Sequence, residues 1–294
     1  MMAATFGDAG RGFRHASLIH SVDAPRIPCP ISLQRFLTGR EKMKRLVAAA
    51  AFAAFATSAV AADLNICVEG AYPPFSEINA SGEVVGFDID IANALCAEMG
   101  KSCAMVQSEW DGIIPALLEG KCDAIIASMS ITEERKQRVD FSDKYYNSPN
   151  KFAAHKDAGL TDSPEGLKGK VVGLQRGTIF QDYMEAEMPD VELKLYGTQD
   201  EVYLDLAAGR VDAIFADATA ISDGFLKTDA GKDYEFFGKD YTDEKYFGIG
   251  AGIAVRKGEE GLRDGFSAAI TAIRANGVYK EINDKYFDVD LYGS

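Results

Sequence analysis

Histidine is nearly missing from this sequence: there are three in 294 residues, and only His155 lies beyond the first 61. That scarcity excludes a zinc site built on His and Cys. It also gives Ser-His-Asp chemistry little support, since no Gly-x-Ser-x-Gly elbow is present either. A Walker pattern is lacking, so the chain is not expected to hydrolyse nucleotides itself. Low-complexity segments are absent. The one sustained apolar run, residues 46–61, is Ala-rich and shorter than the ~20 residues of a membrane-spanning helix. Basic charge is scarce as well: residues 1–61 hold eight of the 31 Lys/Arg and three of the 45 Asp/Glu, leaving 23 against 42 and a net charge of −19 over 62–294. Such a surface repels nucleic acid and anionic lipid and draws cationic ligands.

What the apolar run does fit is a secretory signal peptide at 43–61. Lys44 and Arg45 precede it, and Ala59-Val60-Ala61 closes it with a small-x-small site. The expectation is therefore a natural start at Met43, cleavage after Ala61 and a periplasmic mature chain. Residues 1–42 then read as an extension that is foreign to the natural protein or disordered. Of five cysteines, Cys29 falls in that extension. Cys96 and Cys103, seven apart where a helical pattern gives way to an extended one, suit a small disulfide loop in an oxidising compartment. Cys67 and Cys122 lie in apolar strand-like runs and read as buried thiols, with a bridge between them as the alternative.

From residue 64 onward, strand-like runs alternate with helical patterns: extended at 64–68, helical at 87–99, extended at 104–107, helical at 113–119, extended at 123–127. The alternation resumes at 171–174 and 212–216, predicting an α/β fold with largely parallel sheets. A weak internal repeat sharpens this. LLEGKCDAIIA (117–127) is similar to LAAGRVDAIFA (206–216), and each reads as a helix end, a Gly cap and a buried strand. Two similar α/β lobes follow. Aligning them puts Ser128 opposite Asp217, and Glu69 opposite Gln175, each at the carboxyl end of a strand. Open α/β sheets bind ligands outside such ends, so these residues are expected to face one another across a cleft.

Thr132 is placed as a helix N-cap with Arg135 three residues in. A capping box would want Glu or Gln there, so the guanidinium has no capping duty and is free to point into the cleft. Its planar fork can grip a carboxylate with two parallel hydrogen bonds. Asp217 is the natural partner for an ammonium beside that carboxylate, or else a plain helix cap. Tyr72 and Trp110, the single tryptophan, both follow strand-like runs. They either fill the core or, beside Glu69, sandwich an aliphatic stem and favour its cationic end.

These residues sit in longer motifs that carry a family resemblance: GFDIDIANALC (86–96), WDGIIPALLEGKCDAIIASMSITEER (110–135), VDFSDKYY (139–146), GRVDAIFADATAISDGFL (209–226) and DEKYFGIGAGIAVRK (243–257). Over essentially the whole of 62–294 the chain resembles the periplasmic polar-amino-acid binding proteins of ABC importers, the extracellular solute-binding proteins of family 3. The lysine/arginine/ornithine, histidine and octopine/nopaline binders are the nearest in pattern. The resemblance implies a type II two-lobed periplasmic binding protein with a two-stranded hinge. Lobe one would be 62–146 plus 251–294, and lobe two 150–241. It implies no cofactor, no metal, no enzymatic activity, and a monomer that delivers an amino acid to an inner-membrane permease. It also implies the Cys96–Cys103 bridge.

Position by position, Arg135 falls on the family's carboxylate-binding arginine and Asp217 on its ammonium-binding aspartate. Ser128 and Ser130 match contacts to the α-substituents, and Thr178 a threonine that closes on the carboxylate. Tyr72 and Trp110 match the aromatic pair around the side chain, and Glu69 the acid at its distal end. Glu69 stands where lysine/arginine/ornithine binders carry Asp, and Trp110 where they carry Phe or Leu; both changes resemble opine binders. Gln175, Ile179 and Phe180 replace Leu, Thr and Gln, altering the hydrogen bonds available from that loop.

The expected ligand is a basic amino acid, namely arginine, lysine, ornithine or histidine. An octopine-like opine is the alternative, and a prephenate or arogenate dehydratase of similar fold is a remoter one that the acidic cleft suits poorly. N-terminal sequencing of the exported protein is expected to begin at Ala62; a start upstream of it would refute the signal-peptide assignment.

Overall fold

The computed structural model describes residues 62–293; the signal peptide expected at 43–61 and the extension expected at 1–42 lie outside them. One five-stranded sheet runs β5 (Cys103–Gln107), β1 (Leu64–Val68), β6 (Ala124–Ile125), β13 (Ala251–Arg256), β7 (Val139–Tyr146). A second repeats the plan as β10 (Glu192–Tyr196), β9 (Val171–Gln175), β11 (Ala213–Asp217), β8 (Asn150–His155), β12 (Tyr234–Tyr241). A small third sheet joins β2 (Ala71–Tyr72), β3 (Ser76–Ile78) and β4 (Val84–Val85).

In each large sheet the first three strands are parallel and the fourth is antiparallel to both neighbours. Four of five strands therefore share a direction, as a mainly parallel α/β sheet requires. The reversed strands, β8 and β13, have a topological cause. Each is the first strand after the chain crosses between sheets, so it starts where its neighbours end and must run the other way.

The first sheet is covered by helices on both faces, and β1 is accordingly apolar almost throughout rather than alternating. Its side chains still divide with period two. Ile66 and Val68 join a cluster with Ile91, Leu95 and Phe266, while Cys67 joins Ile113, Leu117 and Ile125 on the opposite face. The first cluster takes its helical side from α1 (Phe87–Glu98) and α8 (Glu260–Ala275), and α8 buries Phe266, Ala269, Ile270 and Ile273 at the i, i+3, i+4, i+7 spacing of one helical stripe. The opposite face is closed by α2 (Ile113–Leu118). In the second sheet Phe152 and Phe215, cross-strand partners on β8 and β11, stack with ring centroids 4.2 Å apart. No helix among the described residues is long and apolar enough to cross a membrane.

One glycine fixes how the loop after β1 meets α1. Gly86 has φ 133°, and a Cβ there would lie 2.4 Å from the Phe75 carbonyl oxygen. The absent side chain lets the amides of Phe87 and Asp88 donate to the carbonyls of Pro74 and Phe75. The segment carrying Tyr72 is thereby tied to the helix N-terminus.

Cys96 and Cys103 form a disulfide joining the end of α1 to the start of β5, as expected. Cys67 and Cys122 are also bonded, with Cα atoms 5.6 Å apart, which overturns their reading as free thiols. The reason is strand adjacency: β1 lies beside β6, and Cys122 lies two residues before that strand. A bond closing a 55-residue separation stabilises by about 4 kcal/mol through the entropy it removes from the unfolded chain. Replacing Cys67 and Cys122 together by Ala is expected to lower the melting temperature by on the order of 10 °C in non-reducing calorimetry; an unchanged melting temperature would count against the bond.

Candidate functional site

The carboxyl ends of β1, β6, β9 and β11 converge on one cavity of about 250 Å³, where Glu69, Ser128, Gln175 and Asp217 stand on its wall. Tyr72, Trp110, Ser130, Arg135 and Thr178 line the same cavity. Every candidate ligand-binding position is thus brought to one place, with contributions from both large sheets.

Asp217 ends β11 and caps α6 (Ala218–Ile221). Its Oδ1 accepts from the amides of Thr219 (2.7 Å) and Ala220 (3.0 Å) and from the Ser148 hydroxyl (3.0 Å). All of these donors converge on one oxygen, so capping leaves Oδ2 for other work. Burial, at 8% exposure, pushes its carboxyl up to about 6 against those hydrogen bonds. Glu69, 5% exposed, is raised further, to about 7. Desolvation is the main cause, the charges of Asp200, Asp88 and Asp111 add to it, and a hydrogen bond donated by Gln175 Nε2 opposes it. Tyr72 is close enough to feel both Asp217 and Glu69, and burial beside them raises its phenol well above the usual range.

Thr132 caps α3 (Glu133–Lys136) as expected, its hydroxyl accepting from the Arg135 amide at 3.2 Å. The Arg135 side chain turns back over the cavity, where Nη1 donates to the Ser130 carbonyl at 3.1 Å and the guanidinium sits 5.3 Å from the Trp110 ring centroid. No carboxylate among the described residues forms an ion pair with it. Desolvation pulls its pKa down to about 10, so it remains charged at neutral pH. Thr178 caps α4 (Ile179–Glu187) and donates its hydroxyl proton to the Gln175 carbonyl at 2.8 Å.

Three contacts run directly between the two sides of the cavity. Gln175 reaches Glu69, Trp110 Nε1 donates to the Gly177 carbonyl at 2.9 Å, and Arg176 Nη2 pairs with Asp111 at 2.7 Å. Sequence reasoning missed Arg176 and Asp111, whose sole signal was opposite charge beside residues already chosen, 65 positions apart. It also missed Ser148 and Tyr146, which reach the cavity wall at the first crossing between sheets. Ser148 follows directly from the demand that Asp217 be satisfied, but only once the fold places it there.

The arrangement is a recognition site: one free guanidinium opposite buried carboxylates, with aromatic rings between them. No group of His, Cys, Asp and Glu among the described residues is placed to hold a metal ion. The model of the bacterial extracellular solute-binding proteins, family 3, matches residues 64–289. The chain is 51% identical to the L-arginine-binding protein of Pseudomonas aeruginosa, over 86% of this chain and 99% of that protein. It is 41% identical to the histidine-binding periplasmic protein of Escherichia coli K12, over 84% and 96%. Among solved structures it superposes with a TM-score of 0.71 and 35% identity on a Salmonella typhimurium periplasmic binding protein described as highly specific for arginine, covering 76% of this chain and 98% of that one.

The raised carboxyl of Glu69 has a signed effect on stability. Below its ordinary value near 4.5 it is protonated whether the chain is folded or not, and it costs nothing. As pH rises toward 7 the unfolded chain ionises while the folded one does not, so folded stability falls by at most about 3 kcal/mol and then levels off. Glu69→Gln is expected to raise the melting temperature at pH 8 and leave it unchanged at pH 4; equal effects at both would rule out the buried carboxyl as the cause.

Proposed function

The chain belongs to the bacterial extracellular solute-binding proteins, family 3, and on that premise we propose that it is the periplasmic binding component of an amino-acid ABC importer. It takes a basic amino acid, arginine foremost, and hands it to an inner-membrane permease. The observation that carries this is the charge pattern of the cavity: guanidinium at Arg135, carboxylates at Asp217 and Glu69. A basic amino acid presents the inverse pattern of carboxylate, α-ammonium and distal cation.

In this reading Arg135 holds the carboxylate with both arms of its fork, and Thr178 closes on the same group. Asp217 takes the ammonium through Oδ2, with Ser128 and Ser130 beside it. Tyr72 and Trp110 flank the aliphatic stem, while Glu69, held by Gln175, receives the distal cation. Arginine is favoured among the basic amino acids by the arginine-binding relatives. An opine is disfavoured because its secondary amine offers Asp217 one N–H fewer and its second carboxylate faces the same acids.

Residues 62–146 with 251–294 form one moving lobe and residues 150–241 the other, hinged at the crossings 147–149 and 242–250. The amino acid bridges Arg135 and Asp217 and so shifts the open–closed equilibrium by its differential affinity for the closed form. The protein acts as a monomer and does no chemistry on its ligand. A dehydratase substrate with two carboxylates would meet Glu69 and Asp217 instead of matching cations.

A thermal-shift screen of the twenty amino acids with ornithine, citrulline and octopine is expected to give its largest shift with arginine. By calorimetry, Arg135→Ala should lose at least about a hundredfold in affinity for every amino acid, because the ligand carboxylate is then buried unpaired. Glu69→Ala should weaken cationic ligands selectively, by about tenfold or more. Equal losses for neutral and cationic ligands in Glu69→Ala would refute its assignment, and release of phenylpyruvate from prephenate would refute the binding-only reading.

A further inference from the structure

Behind Ser128 lies a carboxylate that the cavity itself does not include. Asp88, in the first turn of α1, is 1% exposed and has no cationic partner among the described residues. Its Oδ1 accepts from the Tyr145 hydroxyl at 2.8 Å and its Oδ2 from the Ser128 hydroxyl at 2.9 Å. The Ser128 amide in turn donates to the Tyr145 oxygen at 2.8 Å, closing a ring of three hydrogen bonds. Tyr145 is fully buried, and its carbonyl accepts from the Tyr279 hydroxyl at 2.7 Å. Ser128 is the only non-glycine residue with a left-handed backbone among those described, at φ 51°. Such a conformation persists only where its surroundings enforce it, and it is found preferentially at binding sites.

We propose that Asp88 is a positioning residue for the ligand's α-ammonium, acting through Ser128. A hydroxyl carries a single proton. Because Ser128 gives its proton to Asp88, its oxygen is left only lone pairs, and an ammonium brings only donors. The carboxyl of Asp88 also stands behind that oxygen, and Asp217 is near enough to disfavour its ionisation. A ligand ammonium between them supplies the positive charge that both lack. An amide at position 88 would keep one acceptor oxygen and put an NH2 donor where the ring needs the second. One hydroxyl must then reverse, so that Ser128 turns its proton outward against the ammonium.

The inference rests on the amino-acid reading given above, and its test separates the two. Arginine and its desamino analogue 5-guanidinopentanoate, which keeps the carboxylate and guanidinium, would be titrated calorimetrically, the analogue by competition where it is weak. Asp88→Asn is expected to lose about tenfold in arginine affinity and nothing for the desamino analogue. Ser128→Ala should behave alike, and the double variant should lose no more than either alone. Tyr145→Phe, which breaks the same ring without touching the carboxylate, should show the same ammonium-selective loss, and it stands in if Asp88→Asn fails to fold. Equal losses for both ligands, or fully additive losses in the double variant, would assign Asp88 a structural role and overturn the proposal. Wild-type protein that binds arginine alongside an unaffected Asp88→Asn overturns this inference alone. Wild-type protein that binds no α-amino acid overturns both.

Discussion

Taking a carboxylate out of water between two packed sheets is costly unless a positive charge or several donors meet it. Three such groups, Glu69, Asp88 and Asp217, are enclosed at or behind this cavity, and each is held above the ordinary carboxyl range by burial. Arg135 is the opposing charge, and it carries a desolvation cost of its own. Hydrogen bonds offset part of this. Asp217 collects its donors from Thr219, Ala220 and Ser148, Asp88 from Tyr145 and Ser128, and Glu69 from Gln175. What remains uncompensated has a definite shape: two positive charges are needed near the acids and one negative charge near the arginine.

The fold supplies that concentration of like charge by its topology. Parallel strands bring their carboxyl ends to one edge of a sheet, where the side chain that follows is exposed to whatever the edge faces. Here two sheets of the same plan face each other edge to edge, so the residue ending each strand has a counterpart across the cavity. The reversed strands β8 and β13 begin at that same edge, which is why the first crossing contributes Ser148 to the site. Rigid elements hold most of these groups: Asp217 by a strand and a cap, Arg135 by a helix capped at Thr132, Tyr72 by the amides that Gly86 leaves room for. Preorganisation of this kind reduces the ordering cost of binding.

Features carried by local chemistry were legible in the sequence. The strands expected at 64–68, 171–174 and 212–216, each within one residue of the observed bounds, the Thr132 cap and the short disulfide loop each depend on periodicity, capping or spacing. The convergence of Glu69, Ser128, Gln175 and Asp217 was legible too, because the repeat of a helix end, a glycine and a strand implied two equivalent edges. The run 123–127, by contrast, forms a ladder only at Ala124–Ile125; its apolar character reflects burial on both faces and not the length of its pairing. Cys67 and Cys122 required knowledge of strand order. Asp88 was hidden because an acid in the first turn of a helix is already explained by the helix dipole. Only the proximity of Tyr145 and Ser128, 57 and 40 residues away, shows that it has a second role.

Two of the three direct contacts between the two sides of the cavity are weak. Arg176 and Asp111 are 50% and 38% exposed, and a pair so well hydrated contributes about 0.5 kcal/mol. The indole-to-carbonyl bond of Trp110 exchanges one hydrogen bond for another with water, worth about 1 kcal/mol. Against these stands the enclosure of the buried acids, which opposes bringing the two sides together. In the proposed lobe motion, closure depends on what else enters the cavity, and the charge pattern of the wall suits an occupant with positive charge at two places and negative charge at one. Selectivity and closure are in this respect the same free energy. A residue that tunes the charges around the cavity, whether it touches the ligand or stands behind a serine, alters both at once.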